Sequence, residues 1–146
     1  ALFDLSGVTC GVLICHDSRY PELYRRYHSY GVRCIFQSFY NASEQGPTIH
    51  TVIIRPTLQA HAACNYFWIS VSNASNHYQT WPSVLVAPDG RIVGSLRRNR
   101  AGILIHTVDT AAGIVDKCDF RDLAMSGRWH SGTAVDDPRS RCRDCL

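Results

Sequence analysis

The chain has 146 residues, 45% hydrophobic and 18% charged, with a formal net charge of +3. That length suits one ordinary domain with a real core, and the composition excludes a disordered chain. Apolar runs such as Gly11-Val12-Leu13-Ile14 are far below the ~18 residues of a membrane helix, so no membrane partner is expected.

Val8 to Ile14 is apolar and rich in β-branched residues, the pattern of a buried strand. Cys15-His16-Asp17-Ser18 reads as a turn, and Pro21 and Glu22 suit the start of a helix. Leu23, Tyr27 and Tyr30 recur at helical spacing until Gly31 closes the helix. Val32 to Phe36 predicts a second strand, so the opening is a strand–turn–helix–strand unit, the seed of an α/β sheet. Phe39 to Thr48 reads as loop, and His50 to Tyr66 as a helix that Pro56 must start, restart or kink. Phe67 to Val71 predicts a third strand. Ser83 to Ala87, Pro88-Asp89-Gly90 and Arg91 to Val93 predict a hairpin, and Gly102 to Val108 a further strand. Periodicity fades after Asp109, giving a domain over 1–134 and a polar tail over 135–146.

The charged residues are skewed. Fourteen of fifteen cations are Arg, with Lys117 alone, and the only glutamates are Glu22 and Glu44. The one dense basic cluster, Arg97-Arg98-Asn99-Arg100, reads as a solvated turn, and no nucleic-acid partner is expected. Seven cysteines, an odd number, are scattered through apolar segments, and no basic-then-apolar leader is present. Both features point to free thiols in a reducing, cytoplasmic compartment. On that reading the glycosylation patterns at Asn41-Ala42-Ser43 and Asn73-Ala74-Ser75 are coincidental. The chain opens at Ala1, and its only methionine is Met125. This suggests a removed tag or a piece of something longer.

Cys15 stands out by position. A cysteine where a buried strand breaks into a turn before a helix projects its sulfur at the sheet edge. There, backbone N–H groups favour a thiolate and can cradle an oxyanion. The carboxyl ends of strands are also where α/β sheets place their sites. The alternative on the residues alone is a small buried thiol without reactivity. Neither reading is excluded by local pattern.

The wider segment, Gly11-Val12-Leu13-Ile14-Cys15-His16-Asp17-Ser18-Arg19-Tyr20-Pro21-Glu22-Leu23, closely resembles the nucleophile motif of the nitrilase (carbon–nitrogen hydrolase) superfamily. Gly31 to Ile35 looks like the strand after the family's first helix. Gln59 to Tyr66 looks like a diverged form of the helix that usually carries Arg-Ala and Glu-Asn. Ser83 to Gly90 resembles the family's Ser…Pro-x-Gly hairpin. The resemblance runs in register to about residue 109. It implies a four-layer α-β-β-α sandwich, often paired through the helix after the Cys. It implies an enzyme that needs no cofactor or metal and hydrolyses a small amide, carbamoyl compound or nitrile through an acyl-thioester. Cys15 would be the nucleophile, with the His16 backbone N–H in the oxyanion site and Asp17, Arg19 and Glu22 organising the turn. Asn41 and Asn73, in loops after strands, would be possible substrate contacts, although each also suits a turn.

The family's Glu base and its Lys precede the Cys, whereas the only acid before Cys15 is Asp4 and no lysine precedes it. The chain therefore reads as the later half of a longer hydrolase, inactive alone. The competing reading is a catalytically incomplete module serving assembly or binding. His16 sits where an aromatic is usual, and the charged pair of the second helix is reduced to His61, Cys64 and Asn65. Cys142 and Cys145 have CxxC spacing, with Cys118 and His130 as conceivable company, but no second tight pair supports a zinc site.

Overall fold

A computed structural model describes residues 1–43 and 46–110. The chain starts with a strand that the sequence reading omits, β1 (Leu2–Leu5), which pairs antiparallel with β2 (Val8–Ile14). The connection is the two-residue turn Ser6-Gly7, both with positive φ (53° and 81°). A Ser-Gly dipeptide between two apolar runs is the signal that could have revealed this hairpin. A 3-10 turn, Cys15–Arg19, follows β2 and leads into α1 (Pro21–Ser29), which begins on Pro21 as its sequence requires. Gly31, at φ 72°, releases the chain.

β3 runs Cys34–Phe39, starting two residues later and ending three residues later than the pattern suggests. Val32 is still engaged in closing the helix, its N–H donating to the Tyr27 carbonyl at 3.1 Å. The strand continues to Phe39 because β4 (Trp68–Asn73) accompanies it to the register pair Phe39↔Asn73. Between them α2 (Ile49–Asn65) passes through Pro56 without interruption and ends on Tyr66, which takes a left-handed conformation. β5 (Val84–Val86) and β6 (Ile92–Ser95) form the predicted hairpin.

The six strands lie in sequence order, with β2–β3–β4 parallel and the outer pairs antiparallel. Side chains alternate across the pleat. Leu13, Ile35, Phe39, Ile69, Val71, Val84 and Val86 pack with Tyr24 of α1 and with Ile54, Leu58 and Ala62 of α2 in one buried cluster. Cys34, Phe36, Ser70 and Leu85 face the other way, along a groove of about 600 Å³.

No strand forms over residues 101–109, contrary to the Gly102–Val108 expectation. The run has alternating apolar residues but pairs with neither edge strand of the sheet, and Ile103 and Ile105 stand 87% and 89% exposed. It is held by single contacts instead. The Trp68 indole donates to the Asp109 carbonyl at 3.1 Å, Arg33 donates to the Thr110 carbonyl at 2.8 Å, and Leu104 lies directly over Gly94. The expected domain boundary at residue 134, Lys117, and the Cys118, His130, Cys142 and Cys145 set lie outside the described residues. Among the described residues, no helix is long and apolar enough to cross a membrane.

Candidate active site

The carboxyl ends of β2 and β3, the turn after β2 and the first turns of α2 meet around one cavity. Cys15, His16, Ser18, Arg19, Phe39, Asn41, His50, Ile54 and Trp81 line it, and its volume is about 150 Å³. The larger groove on the opposite sheet face has Cys34 in its lining, but this thiol is 8% exposed and sits within the ladder at the amino end of β3. The smaller cavity is the better candidate because it lies at strand ends and holds a partly exposed thiol.

The turn is built from its own sequence. Cys15 has φ 43°, a left-handed conformation that a side chain adopts only when its surroundings hold it there. On one side, Asp17 Oδ2 accepts a hydrogen bond from the Ile14 N–H at 2.8 Å, tying the acid back to the strand. On the other, His61 Nε2 lies 3.1 Å from the carbonyl oxygen of Ser18, a residue only 2% exposed. The leading N–H groups of the 3-10 turn, those of Cys15, His16 and Asp17, have no acceptor within it. The His16 ring is exposed and meets Tyr20 edge-on at 5.7 Å, so its side chain belongs to the surface.

The sequence-selected residues separate. Cys15, His16, Arg19 and Asn41 share the cavity, and Asp17 underpins it. Asn41 is fixed at two points: its N–H donates to Gln79 Oε1 at 3.0 Å, and its Oδ1 accepts from Thr80 Oγ1 at 2.5 Å. Glu22 is exposed on the first turn of α1 and does not line the cavity. Asn73 is the last residue of β4 and lines the opposite groove. Its Nδ2 donates to the Trp81 carbonyl at 2.7 Å, so it braces the loop that carries Trp81.

Five lining residues escaped the sequence reading: Ser18, Phe39, His50, Ile54 and Trp81. His50 and Ile54 are four apart on α2 and so share a face, a spacing that could have signalled them. Trp81 offers no such clue, because its place depends on the Asn73 brace across the loop. It meets Phe39 edge-on at 5.5 Å, and its buried indole N–H has no hydrogen-bond partner. Among the described residues no carboxylate lines the cavity, whereas Arg19 and His50 do.

The family is settled by comparison. The chain belongs to the carbon–nitrogen hydrolase family, whose model matches residues 1–114. No curated protein matches it. Among solved structures, the NitN amidase from Nesterenkonia sp. AN1 is similar over 100% of this chain and 49% of that one, at 21% identity and a TM-score of 0.61. A cysteine-to-alanine mutant of the amidase from the same organism, in complex with butyramide, is similar over 66% of this chain and 36% of that one, at 22% identity and a TM-score of 0.54. A further mutant, with the acetamide moiety of fluoroacetamide added at its active-site cysteine, is similar over the same shares at 23% identity and a TM-score of 0.54. These likenesses show the fold: a nitrilase-superfamily α/β sheet with helices. The chain spans between 36% and 49% of the length of these amidases.

Proposed function

We propose that this chain carries the nucleophile half of a hydrolase for non-peptide carbon–nitrogen bonds, with Cys15 attacking a small amide, carbamoyl or nitrile carbon. The observation that carries the reading is the juxtaposition of the Cys15 thiol with a small cavity at the end of β2, on a turn held in a left-handed conformation. In an amide reaction the thiolate adds to the carbonyl carbon, and the oxygen takes the negative charge beside the turn's N–H groups, including that of His16. Collapse expels ammonia or an amine, which takes up a proton, and leaves an acyl-thioester. Water then adds to the thioester carbon and the thiol is released with the acid. Arg19 and Asn41 face the bound substrate from the cavity wall, while Asp17 shapes the turn.

Attack and hydrolysis both need a base and a cation near the reacting atoms. In the sequence before Cys15 there is neither glutamate nor lysine, so these groups are assigned to a segment preceding Ala1 in a longer polypeptide. Self-association is assigned to α1, where Arg25 and Arg26 are exposed and Tyr30, just past its end, is 53% exposed. A compartment that keeps thiols reduced suits the chemistry.

The test uses the longer polypeptide. Cys15→Ala should lower ammonia release from small amides by at least about a thousandfold, and acid-quenched peptides should carry the acyl group on Cys15. Undiminished turnover in Cys15→Ala would overturn the assignment. The second reading, a catalytically incomplete module, is favoured by the missing base and lysine. It gains support if the intact polypeptide releases no ammonia from any small amide while still assembling.

A further inference from the structure

Behind the cavity, α2 reaches the nucleophile turn through one side chain. We propose that His61 is a positioning residue for Cys15: stacked on Tyr24, it holds the Ser18 carbonyl and so fixes the backbone that presents the thiol. The proposal rests on the reading of Cys15 as the nucleophile and adds a residue that the motif does not contain.

Three observations support it. A carbonyl oxygen only accepts, so the 3.1 Å contact between His61 Nε2 and Ser18 O requires the proton on Nε2. Burial, opposed in part by that same carbonyl, lowers the His61 pKa, so the ring is neutral at pH 7 and its tautomer is fixed. The ring itself cannot swing: it stacks on Tyr24 with centroids 3.9 Å apart and planes 13° from parallel. Tyr24 is fully buried and donates its hydroxyl proton to Gln37 Oε1 on β3 at 2.7 Å. Gln37, Tyr24, His61 and Ser18 thus connect the strand beside β2, both helices and the turn.

Cys15 sits between the two constraints on its turn, Asp17 in front and His61 behind. A left-handed residue persists only where the surroundings over-determine it. Without the Ser18 anchor, one of the two hydrogen bonds that oppose relaxation is gone. The second helix lacks the charged pair usual in the family that the sequence resembles, and a neutral ring stands there instead.

The experiment measures the rate at which iodoacetamide modifies Cys15, read from its peptide, in the 146-residue chain. His61→Phe keeps the ring and its stack but removes the donor, and should slow Cys15 about tenfold while leaving exposed Cys64 unchanged. His61→Gln restores an N–H and should return the rate to within about twofold of wild type. Wild-type reactivity in His61→Phe, or equal losses in both variants, would overturn the proposal. Should His61→Phe fail to fold, nitrogen-15 NMR of the wild-type imidazole decides: a protonated Nε2 supports the lock, and a protonated Nδ1 with bare Nε2 overturns it. If wild-type Cys15 reacts no faster than in denatured protein, the nucleophile reading fails and takes the proposal with it. Failure confined to the His61 variants leaves that reading intact.

Discussion

Two cysteines five residues apart, one inside strand β2 and one just past its end, stand in different surroundings. Cys10 lies mid-strand, 1% exposed, opposite Cys34 in the parallel register. Burial pushes the Cys34 thiol up to about 12, with the neighbouring Cys10 adding to it, and burial also raises Cys10. Cys15 lies one residue past the strand, partly exposed, with a cavity in front of it. Position separates them: inside the ladder a thiol is packing, and past its end lies the thiol that we propose as the reagent.

The largest expected effect sharpens that contrast. In the folded chain, alkylation of Cys34 should be slower than that of Cys15 on the order of a thousandfold, and strong denaturant should erase most of the difference. Comparable native rates would break the comparison. A second substitution attacks it from the packing side. Cys34→Ser buries a hydroxyl in place of the thiol and should cost about 1–3 kcal/mol in urea unfolding, yet leave the Cys15 rate within about twofold. Loss of Cys15 reactivity in that variant would mean the two sites are coupled. On the turn itself, Asp17→Ala removes the acceptor for the Ile14 N–H. It should cost about 1 kcal/mol of stability and slow Cys15 several-fold without exposing Cys10 or Cys34.

The smallest effect is a pH dependence. His61 has a lowered folded-state pKa, so below its ordinary value near 6.5 the unfolded chain binds the proton more readily. Its contribution to stability is therefore complete above that value and is lost as pH falls through the folded pKa. Urea titrations at neutral and mildly acidic pH should show a larger acid loss in wild type than in His61→Gln. Equal losses would show that His61 is not buried in its neutral form.

Much of this was legible in the residues because local chemistry specified it. The apolar β2 run, Pro21 at the helix start and Gly31 at its exit gave the strand–turn–helix unit, and the thirteen residues around Cys15 gave the family. Other features depended on partners distant in sequence. β3 ran past Phe36 because β4 accompanies it, and 102–108 is held by single contacts to Trp68, Arg33 and Gly94 rather than by a ladder. The cavity was half legible: its turn residues are in the motif, whereas Trp81, His50 and His61 arrive from later segments that topology brings back to the turn. Asn73 shows the converse, a polar residue after an apolar run that braces the Trp81 loop instead of lining the Cys15 cavity.

The central claim is that the end of β2 makes Cys15 the reactive thiol of this chain. Treating the native protein with less than one equivalent of 2-chloroacetamide, an amide-shaped electrophile, and mapping the modified peptides tests it most directly. Exposed Cys64 on α2 serves as the internal standard for simple accessibility. The account predicts that the label falls mainly on Cys15, ahead of the more exposed Cys64. A label that falls mainly on Cys64, or spreads over the cysteines in proportion to exposure, would contradict it.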